Sequence, residues 1–198
     1  MKYKQTNRQF GNNELAVLLR ELTRVLRAGV DGDVVEFGCY EGSTSLEIMR
    51  VLVHYAPHTN LWLYDSFEGL PEKSAHDISP IGVDFTAGAL LARKNAVVRR
   101  FKQANLPIPY VKKAWFSELS VHDVPKQVSV AFLDGDYYSS IYDSLRVVVP
   151  IMSRGGVIVI DDYTNPALPG VAKAVAEVMP VQQLNALRVE QSLAILQM

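Results

Sequence analysis

A doubly wound α/β sheet is the fold class this chain predicts: seven strands, mostly parallel, with an antiparallel strand near the C-terminus. Three observations predict it. Short apolar runs alternate along the chain with stretches of helical period, the pattern of parallel strands joined by crossover helices. The first apolar run opens into the glycine-bearing turn Gly38-Cys39-Tyr40-Glu41-Gly42. Two later runs, VSVAFL and GGVIVI, each end in carboxylates, at Asp134 and at Asp161-Asp162. In doubly wound sheets ligands gather outside the carboxyl ends of the strands.

The elements follow in order. Leu15, Leu18, Leu19, Leu22, Val25 and Leu26 have helical spacing, with Asn12 or Asn13 available as a cap. Asp31-Gly32-Asp33 is a turn, and Val34 to Phe37 is the first strand. Ser43 to Val53 reads as a helix, and Leu61 to Tyr64 as the second strand, ending at Asp65. An irregular stretch from Ser66 to Asp84 carries Pro71 and Pro80. A helix over 87–104 leads to a strand over 110–114. Val128 to Leu133 is apolar on both faces but for Ser129, as suits a strand covered on both sides. Ser139 to Val148 is a helix that stops before Pro150, and Gly156 to Ile160 is the fifth strand. Gly170 to Val178 is a further helix. Leu187 to Glu190 and Ser192 to Leu196 form a terminal hairpin.

Composition sets the outer limits. The 198 residues suit a single domain, 1–198. The net charge of −1, from 20 basic and 21 acidic residues, gives no reason to expect nucleic acid or an anionic membrane. No apolar run approaches the ~20 residues of a membrane span. Cys39 is the one cysteine, so neither an internal disulfide nor a cysteine metal cluster is possible. The polar start MKYKQTNRQFGNNE lacks the apolar core of a secretory signal. The expectation is a cytoplasmic protein.

Two candidate sites emerge. In the first, Glu36-x-Gly38-x-x-x-Gly42-Ser43 lies between a strand and its helix, where glycines allow a tight turn and close approach to a ligand. It is neither G-x-G-x-x-G nor a P-loop. An acid at the tip of the second strand, Asp65, can accept both ribose hydroxyls of a nucleoside. The alternatives are a plain strand-to-helix turn and a capping acid. Glu36 either holds an amino group or orients the loop.

In the second site, Asp134, Asp161 and Asp162 converge if their strands are neighbours. Carboxylates that close repel unless a cation lies between them, and Mg²⁺ takes such oxygen ligands. The bland alternative is turn chemistry, to which Asp-Gly-Asp is well suited. His54 and His58 read as surface residues, and Arg99, Arg100 and Lys102 as a solvated helix face.

Taken together, VVEFGCYEGST, LWLYDSFEGLPEK, KKAWFSEL, FLDGDYYSSIYDSL and GGVIVIDDY resemble the S-adenosylmethionine-dependent macrocin O-methyltransferase family, whose members methylate sugar hydroxyls of antibiotics. The resemblance implies that Gly38, Gly42 and Ser43 line the methionine part of the cofactor, with Cys39 and Tyr40 of the same turn also at the cofactor and Glu36 supporting that loop; by itself Cys39 reads as a small residue in a crowded turn. Asp65 and Ser66 would hold the ribose. Ala114 to Phe116, with Trp115 between them, would border the adenine. Asp134, Asp161 and Asp162 match magnesium ligands, and Asp134 also matches a general base at the cofactor's edge. A lid over residues 67–88 and a small-molecule hydroxyl acceptor are further implications. A homodimer is expected because a small domain with such a lid can borrow a neighbour's residues. Competing classes are a nicotinamide-dependent oxidoreductase, a non-catalytic binding module, and a metal-independent methyltransferase acting on nitrogen or carbon.

Overall fold

The computed structural model describes residues 11–82 and 85–198. The polar N-terminal ten residues, and residues 83 and 84 of the expected lid, lie outside them. Helix α1 (Asn12–Arg27) is followed by β1 (Asp33–Phe37), α2 (Ser43–Tyr55), β2 (Leu61–Asp65), α3 (Lys94–Gln103), β3 (Tyr110–Lys113), β4 (Val128–Leu133), α4 (Tyr138–Val148), β5 (Met152–Ile160), α5 (Gly170–Val178), α6 (Val181–Asn185), β6 (Arg188–Glu190) and β7 (Leu193–Gln197). The sheet order is β3-β2-β1-β4-β5-β7-β6. The first five strands run parallel, and β7 is antiparallel to both β5 and β6. This is the predicted fold class.

Strand alternation builds two cores. Val34 of β1, Val130 and Phe132 of β4, and Val157 and Val159 of β5 face α1, α2 and α3. Val35 and Phe37, Ala131 and Leu133, and Ile158 and Ile160 face α4 and α5. β4 is buried along its whole length because helices cover both faces. Truncating Phe132, which is fully buried, to alanine would cost about 3–5 kcal/mol.

Several boundaries differ from expectation. Helix α1 starts after Gly11 and has no side-chain cap, so neither Asn12 nor Asn13 serves as one. The stretch before Lys94 is turn and coil rather than helix, and α3 is correspondingly short. β5 begins four residues early, at Met152, and bulges against β4 between Val128 and Val130. The short α6 after Pro180 has too few residues for a periodic signal.

A charged cluster closes the first layer. Glu21 is buried, yet it takes hydrogen bonds from Arg20, Arg24 and Arg188. Arg188 belongs to β6, so the cluster fastens α1 to the terminal hairpin. Burial alone would raise the Glu21 carboxyl, but the three guanidiniums outweigh it and hold the group at about 2.

Candidate active site

The register of the parallel strands sets their tips level. Phe37 pairs with Tyr64 and with Leu133, and Leu133 pairs with Ile160. The next residues continue the ladder: Gly38 N–H donates to Tyr64, Asp134 N–H to Phe37, and Asp161 N–H to Leu133. Asp65, Gly38, Asp134 and Asp161 therefore stand in a row at the carboxyl edge of the sheet. A cavity of about 480 Å³ opens over this row.

Of the predicted residues, Gly38, Tyr40, Asp65, Ser66, Trp115, Phe116, Asp134, Asp161 and Asp162 line the cavity. Glu36, Cys39, Gly42 and Ser43 are not among its lining residues. Glu36 is fully buried beneath the loop and accepts a 2.5 Å hydrogen bond from Ser45 of α2. Burial first, then the nearby Asp65 charge, pushes its carboxyl up to about 8 against the pull of Ser45. The side chain thus ties the end of β1 to α2 and does not reach the cavity. Cys39 is buried, and burial with the neighbouring Asp65 and Glu36 carboxyls raises its thiol, so it is not an activated nucleophile. Gly42 is the left-handed N-cap of α2, and Ser43 begins that helix.

Asp65 ties the glycine turn to the second strand. One carboxylate oxygen accepts from the N–H groups of Cys39 and Tyr40 at 3.0 and 2.9 Å. The other accepts from Phe67 N–H at 2.7 Å. Arg100 adds a second brace, donating to the carbonyl and carboxylate of Glu41. Arg100 is therefore more than part of the solvated face expected for it; the contact is non-local and leaves no mark in the local sequence.

The carboxylates do converge, with one change of membership. Oxygens of Asp134, Asp136 and Asp162 all lie within 4.8 Å of one another. The expected set was Asp134, Asp161 and Asp162. Asp161 lines the same cavity, but its Oδ1 accepts from Asp162 N–H at 2.8 Å and from Ser192 at 3.2 Å, and it lies outside the tight trio. Asp136 takes its place because the backbone there is left-handed (φ 59°), which folds the Asp-Gly-Asp turn back over the strand tip. Asp162 is left-handed as well (φ 56°) and is steadied by the Asn165 amide at 2.7 Å. Aspartate tolerates this region better than most residues. Such strain at both acidic tips is the kind found where geometry serves a ligand.

Burial raises all four carboxyls, and repulsion between neighbouring acids adds to it for three: Asp134 through burial, then Asp161, Asp136, Asp162 and Glu36; Asp136 through burial, then Asp162, Asp161 and Asp65; Asp161 through burial, then Asp162; whereas Asp162 is raised chiefly by burial. No lysine or arginine pairs with any of them among the described residues. Asp134, Asp136 and Asp162 each keep some exposed surface. An oxygen-only donor set of uncompensated acids, open to a cavity, fits a hard divalent cation.

Other lining residues were not singled out from the sequence. Leu70, Phe85, Leu90 and Leu168 give the cavity an apolar wall, and Ser139 and Asp143 give it a polar face on α4. The i, i+4 spacing of the last two was the only local sign of them.

A family profile described as macrocin-O-methyltransferase (TylF) matches residues 4–190. The chain belongs to the macrocin O-methyltransferase family. Within that family it is 34% identical over 149 residues to an 8-demethyl-8-(2,3-dimethoxy-alpha-L-rhamnosyl)-tetracenomycin-C 4'-O-methyltransferase of Streptomyces olivaceus, covering 72% of this chain and 57% of that protein. It is 31% identical over 151 residues to a mycinamicin III 3''-O-methyltransferase of Micromonospora griseorubida, covering 72% and 59%. The macrocin O-methyltransferase homologue thus spans little more than half the length of these curated relatives. Its fold matches that of the O-methyltransferase NovP with a TM-score of 0.81 at 24% identity, over 94% of this chain and 80% of that one.

Proposed function

We propose that this chain transfers a methyl group from S-adenosylmethionine to a hydroxyl of a small molecule, with a divalent cation held by Asp134, Asp136 and Asp162. One observation carries the reading: the carboxylate trio opens into the same cavity as the Gly38–Tyr40 turn and Asp65. An oxidoreductase would need the turn and Asp65, but would leave the trio without a purpose. Relatives named for O-methylation of antibiotic sugars favour a sugar or glycoside acceptor.

S-adenosylmethionine supplies an activated methyl group on a sulfonium. Mg²⁺, when bound, supplies Lewis acidity toward the acceptor oxygen. The chain's own residues do the rest. Gly38 and Tyr40 border the space for the methionine end, and Asp65 offers its remaining lone pairs to the ribose hydroxyls. Trp115 and Phe116 flank the adenine. Phe116 is held edge-on to Phe37 with ring centroids 5.2 Å apart. Asp134, beside the cation position, takes the proton that the acceptor hydroxyl releases as its oxygen bonds the methyl carbon, while the methyl–sulfur bond breaks and S-adenosylhomocysteine is the leaving group. The described residues of the 67–88 stretch cover the cavity and exclude water, with Leu70 and Phe85 lining it. Asp161 steadies Asp162 through its N–H.

The assembly is read as a cytoplasmic homodimer. No described helix is long and apolar enough to cross a membrane. Titrating the protein with S-adenosylhomocysteine and with NAD tests the cofactor. Binding of the first alone is expected, and binding of NAD alone would overturn the reading.

A further inference from the structure

Both acidic loops end at one carboxylate that belongs to neither. Asp77 sits in a short 3-10 turn (Ala75–Asp77) between β2 and α3, and it is fully buried. Its Oδ2 accepts from the N–H and hydroxyl of Ser74, which closes its own turn. Its Oδ1 accepts from Tyr138 N–H at 2.7 Å. Tyr138 is the first residue of α4, immediately after the loop carrying Asp134 and Asp136. A carboxylate is favoured there by the free N–H groups and the positive end of the helix dipole.

The second loop reaches the same atom. Asp77 Oδ1 lies 2.0 Å from where a β-carbon on Gly170 would stand. Gly170 is the first residue of α5, at the end of the loop that carries Asp161 and Asp162. Only glycine lets that backbone rest on the carboxylate. Two further contacts hold the turn in place: the His76 ring stacks on Tyr138 at 4.2 Å, and Lys173 of α5 donates to the His76 carbonyl.

We infer that Asp77 is a positioning residue that fixes the starts of α4 and α5 together and so sets the spacing of the carboxylate trio. The inference about metal geometry rests on the proposed cation site; the coupling of the three segments does not. With Asp77 in place, the turn, the Asp134–Tyr137 loop and the 161–169 loop move as one body. Without it, the α4 N–H loses its partner and each loop relaxes separately.

The test compares Asp77→Ala, Asp77→Asn, Gly170→Ala and Ser74→Ala with the unaltered chain by amide hydrogen exchange and by Mn²⁺ titration in saturating S-adenosylhomocysteine. Asp77→Ala should speed exchange at least fivefold over both 134–140 and 161–170. It should also weaken Mn²⁺ about tenfold, the usual effect of removing a group that orients metal ligands, while S-adenosylhomocysteine affinity stays within twofold. Gly170→Ala should reproduce this by displacing the carboxylate. Asp77→Asn keeps an acceptor oxygen for Tyr138 N–H but turns an amide NH2 toward Ser74 N–H, so it should fall between the unaltered chain and Asp77→Ala. Ser74→Ala should speed exchange only around its own turn. Unchanged exchange over the two acidic loops in Asp77→Ala overturns the inference, as does an equal effect from Ser74→Ala. If the unaltered chain binds no Mn²⁺, the cation reading falls and the exchange data alone decide the role of Asp77.

Discussion

The carbonyl oxygen of Asp134 lies 1.8 Å from the point where a β-carbon on Gly38 would stand. The glycine turn and the first acidic loop are therefore pressed together backbone to backbone, and the two candidate sites are one construction. Gly38 also has a φ of 86°, which favours glycine.

Gly38→Ala should separate the two loops. The clash is with a carbonyl that cannot rotate away, so S-adenosylhomocysteine affinity should fall at least tenfold in calorimetry. Gly42→Ala is the control. Its β-carbon would press on the Val97 side chain at 3.0 Å and otherwise meet only side chains at ordinary contact distance, and strain at φ 77° is the main cost, about 1 kcal/mol. Its effect on binding should be smaller than that of Gly38→Ala.

Asp65→Asn replaces a carboxylate that accepts three N–H bonds with an amide that has one acceptor oxygen. S-adenosylhomocysteine binding should weaken by about 1.4–2.8 kcal/mol, or 10- to 100-fold. Equal affinity in the variant would remove Asp65 from the cofactor site.

Asp136→Asn and Asp161→Asn separate the observed trio from the expected one. Mn²⁺ affinity should fall at least tenfold for Asp136→Asn and for Asp134→Asn and Asp162→Asn. Asp161→Asn should act more weakly, through the lost order of Asp162. The reverse ranking would restore the set read from the sequence.

The fold was largely legible because period and polarity are local properties. The apolar run VSVAFL announced a strand buried on both faces, and VVEFG announced a strand entering a tight turn. The convergence of acids was legible too, since parallel neighbours must bring their tips level. The swap of Asp161 for Asp136 was not, because it depends on a left-handed backbone at Asp136 and on Ser192 reaching Asp161 from the loop before β7. Asp77 was hidden for a similar reason: its partners Tyr138 and Gly170 are distant in sequence.

Acid should loosen the first layer through Glu21. Its folded value of about 2 lies below the unfolded value near 4.5, so its stabilisation is present above pH 4.5 and is lost as pH falls toward 2. Glu21→Gln should lower stability at neutral pH by about 2 kcal/mol. It should also flatten the acid limb of a thermal-melt profile between about pH 4.5 and 2. An unchanged limb would show that the arginine cluster does not hold the hairpin to α1.

The central claim is tested most directly by a crystal structure of the chain with S-adenosylhomocysteine and Mn²⁺, collected at a wavelength that reveals manganese. The account predicts an anomalous peak bonded by Asp134, Asp136 and Asp162, beside the sulfur of a nucleoside whose ribose meets Asp65. Bound S-adenosylhomocysteine with the three side chains turned apart and no metal between them would contradict it.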